Sequence, residues 1–264
     1  MSSTEAVDSP TPPAENDQRY GKAIERPDGR DFPFYNGVPF ELATWKWIVV
    51  ILGCAAGFAV LIFYPATSNV QALVSRFLFP AVQLAVFIAF TRRQWSSILR
   101  RIRPRDFGLM VVFAVLNFVV SFLVGIIVKA FFGANANPAA DGIHSAGEAF
   151  AFYLGTAVQI FGEELFTILP FLAVMAFCTK AGLSRKHALL IAWFVTAAWF
   201  GAAHLPTYQW NFAQAFLIIG VARLVLTLAY IRTKNILVST GAHILNDWAI
   251  FTVALLAASA AAAR

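Results

Sequence analysis

Long apolar segments recur along the chain from about residue 45 onward, separated by short polar stretches. Each segment is close to the ~20 residues that an α-helix needs to cross the hydrocarbon core of a bilayer. Helices also satisfy their own backbone hydrogen bonds, as lipid requires. We therefore predict an all-α membrane protein, with about seven transmembrane helices in one bundle around a polar intramembrane cavity. The predicted spans are 45–64, 69–90, 107–131, 148–178, 188–204, 212–231 and 236–259.

The first 44 residues have a different character from the rest. They are polar, rich in Pro and Ser, and contain eight of the 14 acidic residues of the chain. This composition favours disorder. We predict a largely disordered tail over residues 1–44, fully disordered to about Arg30, followed by a transmembrane bundle over 45–264. The aromatic stretch 32–37 is expected to be an interfacial linker that docks either on the membrane or on the helices.

Composition narrows the class of protein further. Hydrophobic residues make up 59% of the chain and charged residues 13%, whereas soluble domains have about a quarter charged residues. An ordinary cytosolic enzyme, a disulfide scaffold and a disordered protein are thereby excluded. Cys54 and Cys178 lie far apart in apolar runs, so no disulfide is expected. The net charge of +6 comes mostly from arginines beside the spans, which indicates the lipid bilayer as a partner and no nucleic acid.

The basic residues between the spans predict an orientation. The loops after the second, fourth and sixth spans carry Lys and Arg, whereas 65–68, 132–147 and 205–211 carry none. Basic loops stay on the cytoplasmic side. The prediction is an integral, multi-pass protein, in the plasma membrane if the source is prokaryotic, with its N-terminus in the cytoplasm and its C-terminus outside.

Among the ionisable side chains inside the predicted spans, seven are candidates for a functional role. Charged groups in lipid are costly and usually mark functional or paired sites within a bundle. These residues are Arg76, Glu163, Glu164, His204, Arg223, His243 and Asp247.

The adjacent residues Glu163 and Glu164 are expected to have different roles. Neighbouring positions on a helix point about 100° apart, so one carboxylate can face a polar cavity while the other pairs with a cation on a neighbouring helix. A carboxylate in such a cavity is suited to take a proton from water. A purely structural or transport-related acidic pair is the alternative.

The histidines offer further candidates. His204 ends the fifth span after small residues that allow close helix approach, although a simple helix-end polar role is the alternative. His243 and Asp247 are four residues apart and share a helix face, so the carboxylate can orient the imidazole. Asn246 lies beside them as a hydrogen-bond donor. A structural role for this pair also stays open.

Three motifs now stand in order along the chain: Glu163-Glu164, Phe200-x-x-x-His204 and His243-x-x-x-Asp247. Over about residues 145–255 the sequence resembles the CPBP family, which contains the glutamate-type CAAX prenyl endopeptidases and their prokaryotic relatives, also called Abi proteins. The family pattern is Glu-Glu-x-x-x-Arg, Phe-x-x-x-His and His-x-x-x-Asn/Asp. This chain departs from it at one position, where Ile168 replaces the arginine.

The resemblance implies an intramembrane endopeptidase whose substrate is a membrane-associated, prenylated or leader peptide, or a membrane protein. Glu163 with His204 would activate water, while His243 with Asp247 would stabilise the oxyanion or complete a polar wall. Because an anionic Asp247 cannot donate a hydrogen bond, Asn246, a protonated Asp247 or an imidazolium His243 would have to do so. Glu164 and Phe200 would be supporting residues.

The departure at Ile168 leaves two interpretations open. Either another cation pairs with Glu164, with Arg223 as the first candidate and Arg76 as the second, or proteolysis has been lost. The second interpretation makes the protein an inactive membrane scaffold or an immunity-type protein. A transporter is a third alternative, although the repeats typical of many transporters are not evident in the sequence.

The resemblance does not decide whether the reaction needs a metal. A zinc site built from His204, His243 and either Asp247 or Glu163 is chemically reasonable. We expect a metal-independent reaction and assign no cofactor.

Overall fold

The computed structural model of the protein describes residues 19–140, 143 and 145–262. Within these residues the fold is all-helical, and seven helices are long and apolar enough to cross a membrane. The predicted fold class and the seven predicted spans are therefore confirmed, with ends that shift by a few residues. The helices are α1 (Thr44–Phe63), α2 (Asn69–Thr91), α3 (Pro104–Phe132), α4 (Ala146–Lys180), α5 (Arg185–Ala203), α6 (Gly220–Thr233) and α7 (Ile236–Ala262). The sixth span consists of α6 together with the π-helix that precedes it, Gln214–Thr233 in all.

Helix α4 forms the centre of the bundle. It packs against α1, α2, α5 and α7, and 72% of its most apolar window is buried, against 22–50% for the other spans. A helix that is apolar on all sides belongs in such a position. Gly162 allows α2 to approach, because a Cβ there would lie 2.5 Å from Cδ1 of Phe79. Polar groups on α4 are thus held far from bulk water.

Helix α3 lies at the periphery and has the opposite character. It is the least buried span, and its outward residues, such as Phe107, Val111 and Phe122, are exposed. Exposed apolar side chains in this number fit contact with lipid tails.

The segment before α1 corrects the prediction of a disordered tail. Residues 1–18 lie outside the described residues, but Glu25 and Asp31 are buried and pair with Arg185, at 2.6 and 2.7 Å. Lys234 also pairs with Glu25, at 2.7 Å. Burial opposes ionisation of Glu25, yet the hydrogen bonds from Arg185 and the charge of Lys234 lower its pKa to about 2. Composition alone could not predict this order, because the partners lie at least 150 residues away.

The aromatic stretch 32–37 docks on the helices rather than only on the membrane. The Phe32 ring lies 5.5 Å from Phe171 and 5.8 Å from Tyr230, between centroids. Phe34 packs against Phe87 at 5.7 Å. Of the two docking surfaces left open by the sequence, the structure therefore uses the helical bundle.

The connection between α5 and α6 is irregular. A series of turns follows α5, and the π-helix Gln214–Ile219 leads directly into α6. The two helices approach closely at Gly201, where a Cβ would lie 2.6 Å from the backbone oxygen of Ala215. π-Helical turns of this kind are frequent at functional sites. The turns after α5 bring His204 to the edge of a cavity between the helices.

Candidate active site

A cavity of about 440 Å³ lies between the helices, next to the middle of α4. A cavity inside the bundle is thus present as predicted, although its lining is mostly apolar and carries a group of polar side chains. All of the sequence-predicted catalytic residues line it, and they come from three helices that are distant in the sequence. They are Glu163 of α4, His204 at the end of α5, and His243 and Asp247 of α7.

Glu164 and Arg223 form the predicted ion pair. Arg223 Nη2 lies 2.7 Å from Glu164 Oε1, and both side chains are completely buried. The first of the two candidate cations is therefore the observed partner. Arg76, the second candidate, instead lies near the backbone oxygen of Phe152.

The surroundings of Arg223 explain how a cation from another helix replaces the arginine of the family pattern. Its guanidinium lies 5.0 Å from the ring centre of Phe200, and its Nε donates to Thr227 Oγ1 at 3.3 Å. Ile168, one turn beyond Glu164, is fully buried in the apolar core. The charge that the pattern places on α4 thus comes from α6, and Phe200 supports it from α5.

His243 is held by Glu164 more closely than by Asp247. Its Nδ1 lies 3.0 Å from Glu164 Oε1, and because a carboxylate oxygen accepts, Nδ1–H is the donor. Its Nε2 lies 3.5 Å from Asp247 Oδ2 and 3.8 Å from Glu163 Oε2. The prediction that Asp247 orients His243 is therefore incomplete, since the shorter contact comes from α4. Helix spacing within α7 gave no signal of that contact.

The two adjacent glutamates lie in different surroundings, as predicted. Glu164 is fully buried in its ion pair. Glu163 lines the cavity, and its side chain is 13% exposed. Gln159 Nε2 donates to Glu163 Oε1 at 2.8 Å, which leaves Oε2 on the side of His243. Sequence reasoning missed Gln159. The signal was its position four residues before Glu163, on the same helix face.

The ring of His204 has a defined tautomer. Its Nδ1 lies 2.8 Å from the backbone oxygen of Phe200, and a carbonyl can only accept, so Nδ1 carries the proton. Nε2 is then the basic nitrogen of the neutral ring. Phe200 also contacts the His204 ring, with 4.5 Å between centroids. The motif phenylalanine therefore holds both His204 and Arg223.

Tyr208 is a second residue that sequence reasoning missed. It follows His204 by one turn, lines the same cavity, and accepts a hydrogen bond from Asn137 Nδ2 at 3.3 Å. Burial, followed by the negative charges of Asp247 and Glu163, raises its pKa to about 12. Its hydroxyl therefore keeps its proton at neutral pH.

Asn246 is engaged with its neighbour. Its Nδ2 donates to Asp247 Oδ1 at 2.9 Å, and its Oδ1 is buried without a partner among the residues that the structure describes. The amide nitrogen that sequence analysis considered as an oxyanion donor is thus directed to Asp247.

The side chains considered as zinc ligands are not arranged around one point. Within the described part of the chain, no three His, Cys, Asp or Glu side chains are placed to hold one ion. Nδ1 of His243 is already occupied by Glu164.

Part of the chain matches a known protein family. Residues 145–249 match the type II CAAX prenyl endopeptidase Rce1-like family. The resemblance predicted over about 145–255 is thereby confirmed. The Rce1-like region spans α4 to the middle of α7 and contains every predicted site residue, whereas α1–α3 lie outside it.

No curated protein and no solved structure matches the chain. The seven apolar helices indicate an integral, multi-pass membrane protein, and residues 145–249 within it are similar to the CAAX-type endopeptidases. The Rce1-like family generally comprises proteases.

Proposed function

We propose that the protein is an intramembrane endopeptidase that hydrolyses a peptide bond of a membrane-associated peptide. The observation that carries this proposal is the convergence of Glu163, His204 and His243 on one cavity inside the bundle. A carboxylate and two imidazoles at a site protected from bulk water are the groups that general acid–base hydrolysis needs. The Rce1-like match supports the same reaction class.

Glu163 and His204 are proposed to activate the attacking water. The hydrogen bond from Gln159 holds Glu163 Oε1, so Oε2 is the oxygen that accepts a proton from water. Nε2 of His204 accepts a second hydrogen bond and helps to orient that water. As the amide bond breaks, Glu163 returns the proton to the leaving amine nitrogen.

His243 is proposed to stabilise the oxyanion of the tetrahedral intermediate. Because Glu164 holds Nδ1–H, the Nε2–H of an imidazolium can donate to the oxyanion, and Asp247 balances the positive charge. An anionic Asp247 cannot itself donate, and Asn246 Nδ2 is directed to it. The hydroxyl of Tyr208 is a second donor on the same cavity.

The Arg223–Glu164 pair is proposed to position His243. Glu164 Oε1 contacts both Arg223 and His243, so the cation fixes the carboxylate that in turn fixes the imidazole. In this interpretation the isoleucine at 168 does not remove the positioning device, since Arg223 provides it.

The arrangement in the membrane follows from the charge pattern. We propose that the N-terminus is cytoplasmic, that residues 45–264 form the bundle, and that 145–255 are its catalytic region. The substrate would be a prenylated, leader or other membrane-associated peptide, or a membrane protein, that reaches the cavity from the bilayer. No cofactor is assigned.

The decisive experiment measures cleavage of a membrane-tethered fluorogenic peptide by purified full-length protein in liposomes. Glu163→Gln is expected to lower kcat by at least about 100-fold, the usual contribution of a general base. Glu148→Gln is the matched control, because Glu148 lies at the start of the same helix and accepts from the Asn69 backbone instead of lining the cavity. Full activity of Glu163→Gln would overturn the proposal.

The second candidate function is an inactive scaffold or immunity-type protein on the same fold. Ile168 is the observation that favours it, since it departs from the family pattern on α4. This candidate predicts that the folded wild-type protein cleaves no peptide. It is contradicted if the wild type turns over and Glu163→Gln does not.

A further inference from the structure

The loop between α3 and α4 holds Tyr208 at two points. Asn135 Nδ2 donates to the backbone oxygen of Tyr208 at 2.8 Å, and Asn137 Nδ2 donates to its hydroxyl oxygen at 3.3 Å. Tyr208 is 6% exposed and lines the same cavity as Glu163 and His204. The loop lies before residue 145, where the Rce1-like region begins. A segment outside the family match therefore contacts a residue of the candidate active site.

Side-chain amides fix this loop on the connection between α5 and α6. Gln214 Oε1 accepts from the Asn135 backbone N–H at 2.8 Å, and Gln214 Nε2 donates to the Asn135 backbone oxygen at 2.9 Å. Asn211 Nδ2 donates to the backbone oxygen of Gly133 at 3.2 Å, while Asn211 Oδ1 accepts from the Gln214 backbone N–H at 3.0 Å. The start of the loop is thereby held in one position relative to Tyr208.

The orientation of the Asn137 amide follows from its other contact. Its Oδ1 accepts from the backbone N–H of Ala139 at 2.9 Å, so the NH₂ group is the one that faces Tyr208. An amide NH₂ can only donate, and the phenol oxygen is therefore the acceptor. A hydroxyl that accepts in this way keeps its own proton for a second partner. Because the Tyr208 hydroxyl lies on the cavity, that proton is available to a group bound there.

The position of Tyr208 relates this hydroxyl to the proposed catalytic groups. Its ring is nearly parallel to the His204 ring, with 6.4 Å between centroids and 21° between planes. Its backbone N–H donates to the His204 backbone oxygen at 3.2 Å, which fixes the two residues one turn apart. A neutral hydroxyl held in place at a site protected from water is a suitable donor to a developing oxyanion.

We propose that Asn137 is the positioning residue of Tyr208 and directs the Tyr208 proton to the oxyanion, so that the loop between α3 and α4 completes the active site. This inference rests on the proposed endopeptidase function. Asn137 acts only through Tyr208. Its NH₂ group occupies one side of the hydroxyl oxygen, and the O–H hydrogen, which rotates about the C–O bond, then points into the cavity.

The test measures kcat and KM for cleavage of a membrane-tethered peptide by full-length protein in liposomes. Tyr208→Phe is expected to lower kcat about 100-fold, the usual effect of losing one oxyanion donor. KM should stay nearly unchanged, because the bound substrate carries no oxyanion. Asn137→Ala should lower kcat up to about 10-fold, the effect of losing one hydrogen bond. In the Tyr208→Phe background, Asn137→Ala should lower kcat no further.

Asn137→Asp separates positioning from a merely structural role of the loop. An aspartate keeps the Oδ1 that accepts from Ala139 but replaces the NH₂ group by an oxygen, which accepts the Tyr208 proton and draws it away from the cavity. Asn137→Asp should therefore lower kcat more than Asn137→Ala, whereas a structural role predicts the reverse order. Asn36→Asp is the matched control, because Asn36 Oδ1 accepts from the Val38 backbone N–H in a similar turn of the N-terminal segment, away from the cavity.

The outcomes separate this inference from the proposed function. Wild-type kcat in Tyr208→Phe, an additive loss in the double variant, or higher activity of Asn137→Asp than of Asn137→Ala overturns the inference while leaving proteolysis intact. If the wild type cleaves no peptide, the proposed function fails. Binding of a membrane-tethered phosphonamidate peptide, whose tetrahedral anionic group resembles the oxyanion, then decides on Asn137.

The binding experiment compares this phosphonamidate with the peptide that carries the ordinary amide. Tighter binding of the phosphonamidate by the wild type, with the preference lost in both Tyr208→Phe and Asn137→Asp, supports the inference. Equal binding of the two peptides by the wild type contradicts it, and so does a preference that either variant retains.

Discussion

The ion pair between Arg223 and Glu164 gives the sharpest test of the site's architecture. Both side chains are fully buried, and 2.7 Å separates Nη2 from Oε1. Removing one partner leaves a buried unpaired charge, which costs about 3–5 kcal/mol, whereas the complete pair can be close to neutral. For a chain of this size, 1 kcal/mol corresponds to about 2–4 °C in Tm. Arg223→Leu and Glu164→Leu should thus each lower Tm by roughly 6–20 °C.

The other contacts of each partner determine which variant loses more. In Arg223→Leu, Glu164 keeps the hydrogen bond from His243 Nδ1. In Glu164→Leu, Arg223 keeps Thr227 and the ring of Phe200 but no anion among the described residues. Glu164→Leu should therefore be the more damaging of the two. It also frees His243, so its activity should fall by more than its stability explains.

The double variant completes a double-mutant cycle for this ion pair. Arg223→Leu with Glu164→Leu should recover much of the lost Tm, because groups in contact are not additive. Ile168→Arg in the Arg223→Leu background returns the cation to α4, one turn from Glu164, and should be more stable than Arg223→Leu alone. The assay is thermal unfolding in detergent followed by intrinsic fluorescence, with Lys129→Leu as the control for loss of a cation. Additive losses in the double variant would refute the pairing.

Three further predictions concern the site and the N-terminal segment. His204→Ala and His243→Ala should each abolish peptidase activity in folded, membrane-inserted protein, and the double variant should be little worse, because groups that act as a unit are not additive. Activity should persist after exhaustive chelation, whereas loss with recovery on adding Zn²⁺ would make the histidines ligands. Because its folded pKa is about 2 instead of 4.5, Glu25 should contribute about 3 kcal/mol above pH 5 that is lost as the pH falls towards 2.

A different experimental result would contradict each of these predictions. Wild-type turnover by either histidine variant would remove that residue from the mechanism. For the N-terminal segment, Tm is measured against pH in wild type and in Glu25→Gln, which lacks the titrating group. The wild-type curve should fall more steeply below pH 4.5, and parallel curves would show that the ion pairs with Arg185 and Lys234 contribute nothing.

Features that depend on local pattern could be predicted from the sequence. Seven apolar runs of about 20 residues predict seven helices, because length and hydropathy alone decide whether a segment can cross lipid. Helix geometry likewise predicted that Glu163 and Glu164 would face different surroundings, and that His243 and Asp247 would share one face. A buried guanidinium needs an anion, which made Arg223 a reasonable partner for Glu164 before any contact was known.

Contacts between distant parts of the chain could not be predicted and are known from the three-dimensional fold. Three such contacts join residues at least 79 positions apart. They are the hydrogen bond from His243 to Glu164, the packing of Arg76 against Gly155, and the ion pair of Glu25 with Arg185. No periodicity marks such pairs, since helix packing and not helix repeat brings them together. Composition predicted disorder around Glu25 for the same reason, because the burial and ion pairs that order this segment come from helices that its own sequence does not contain.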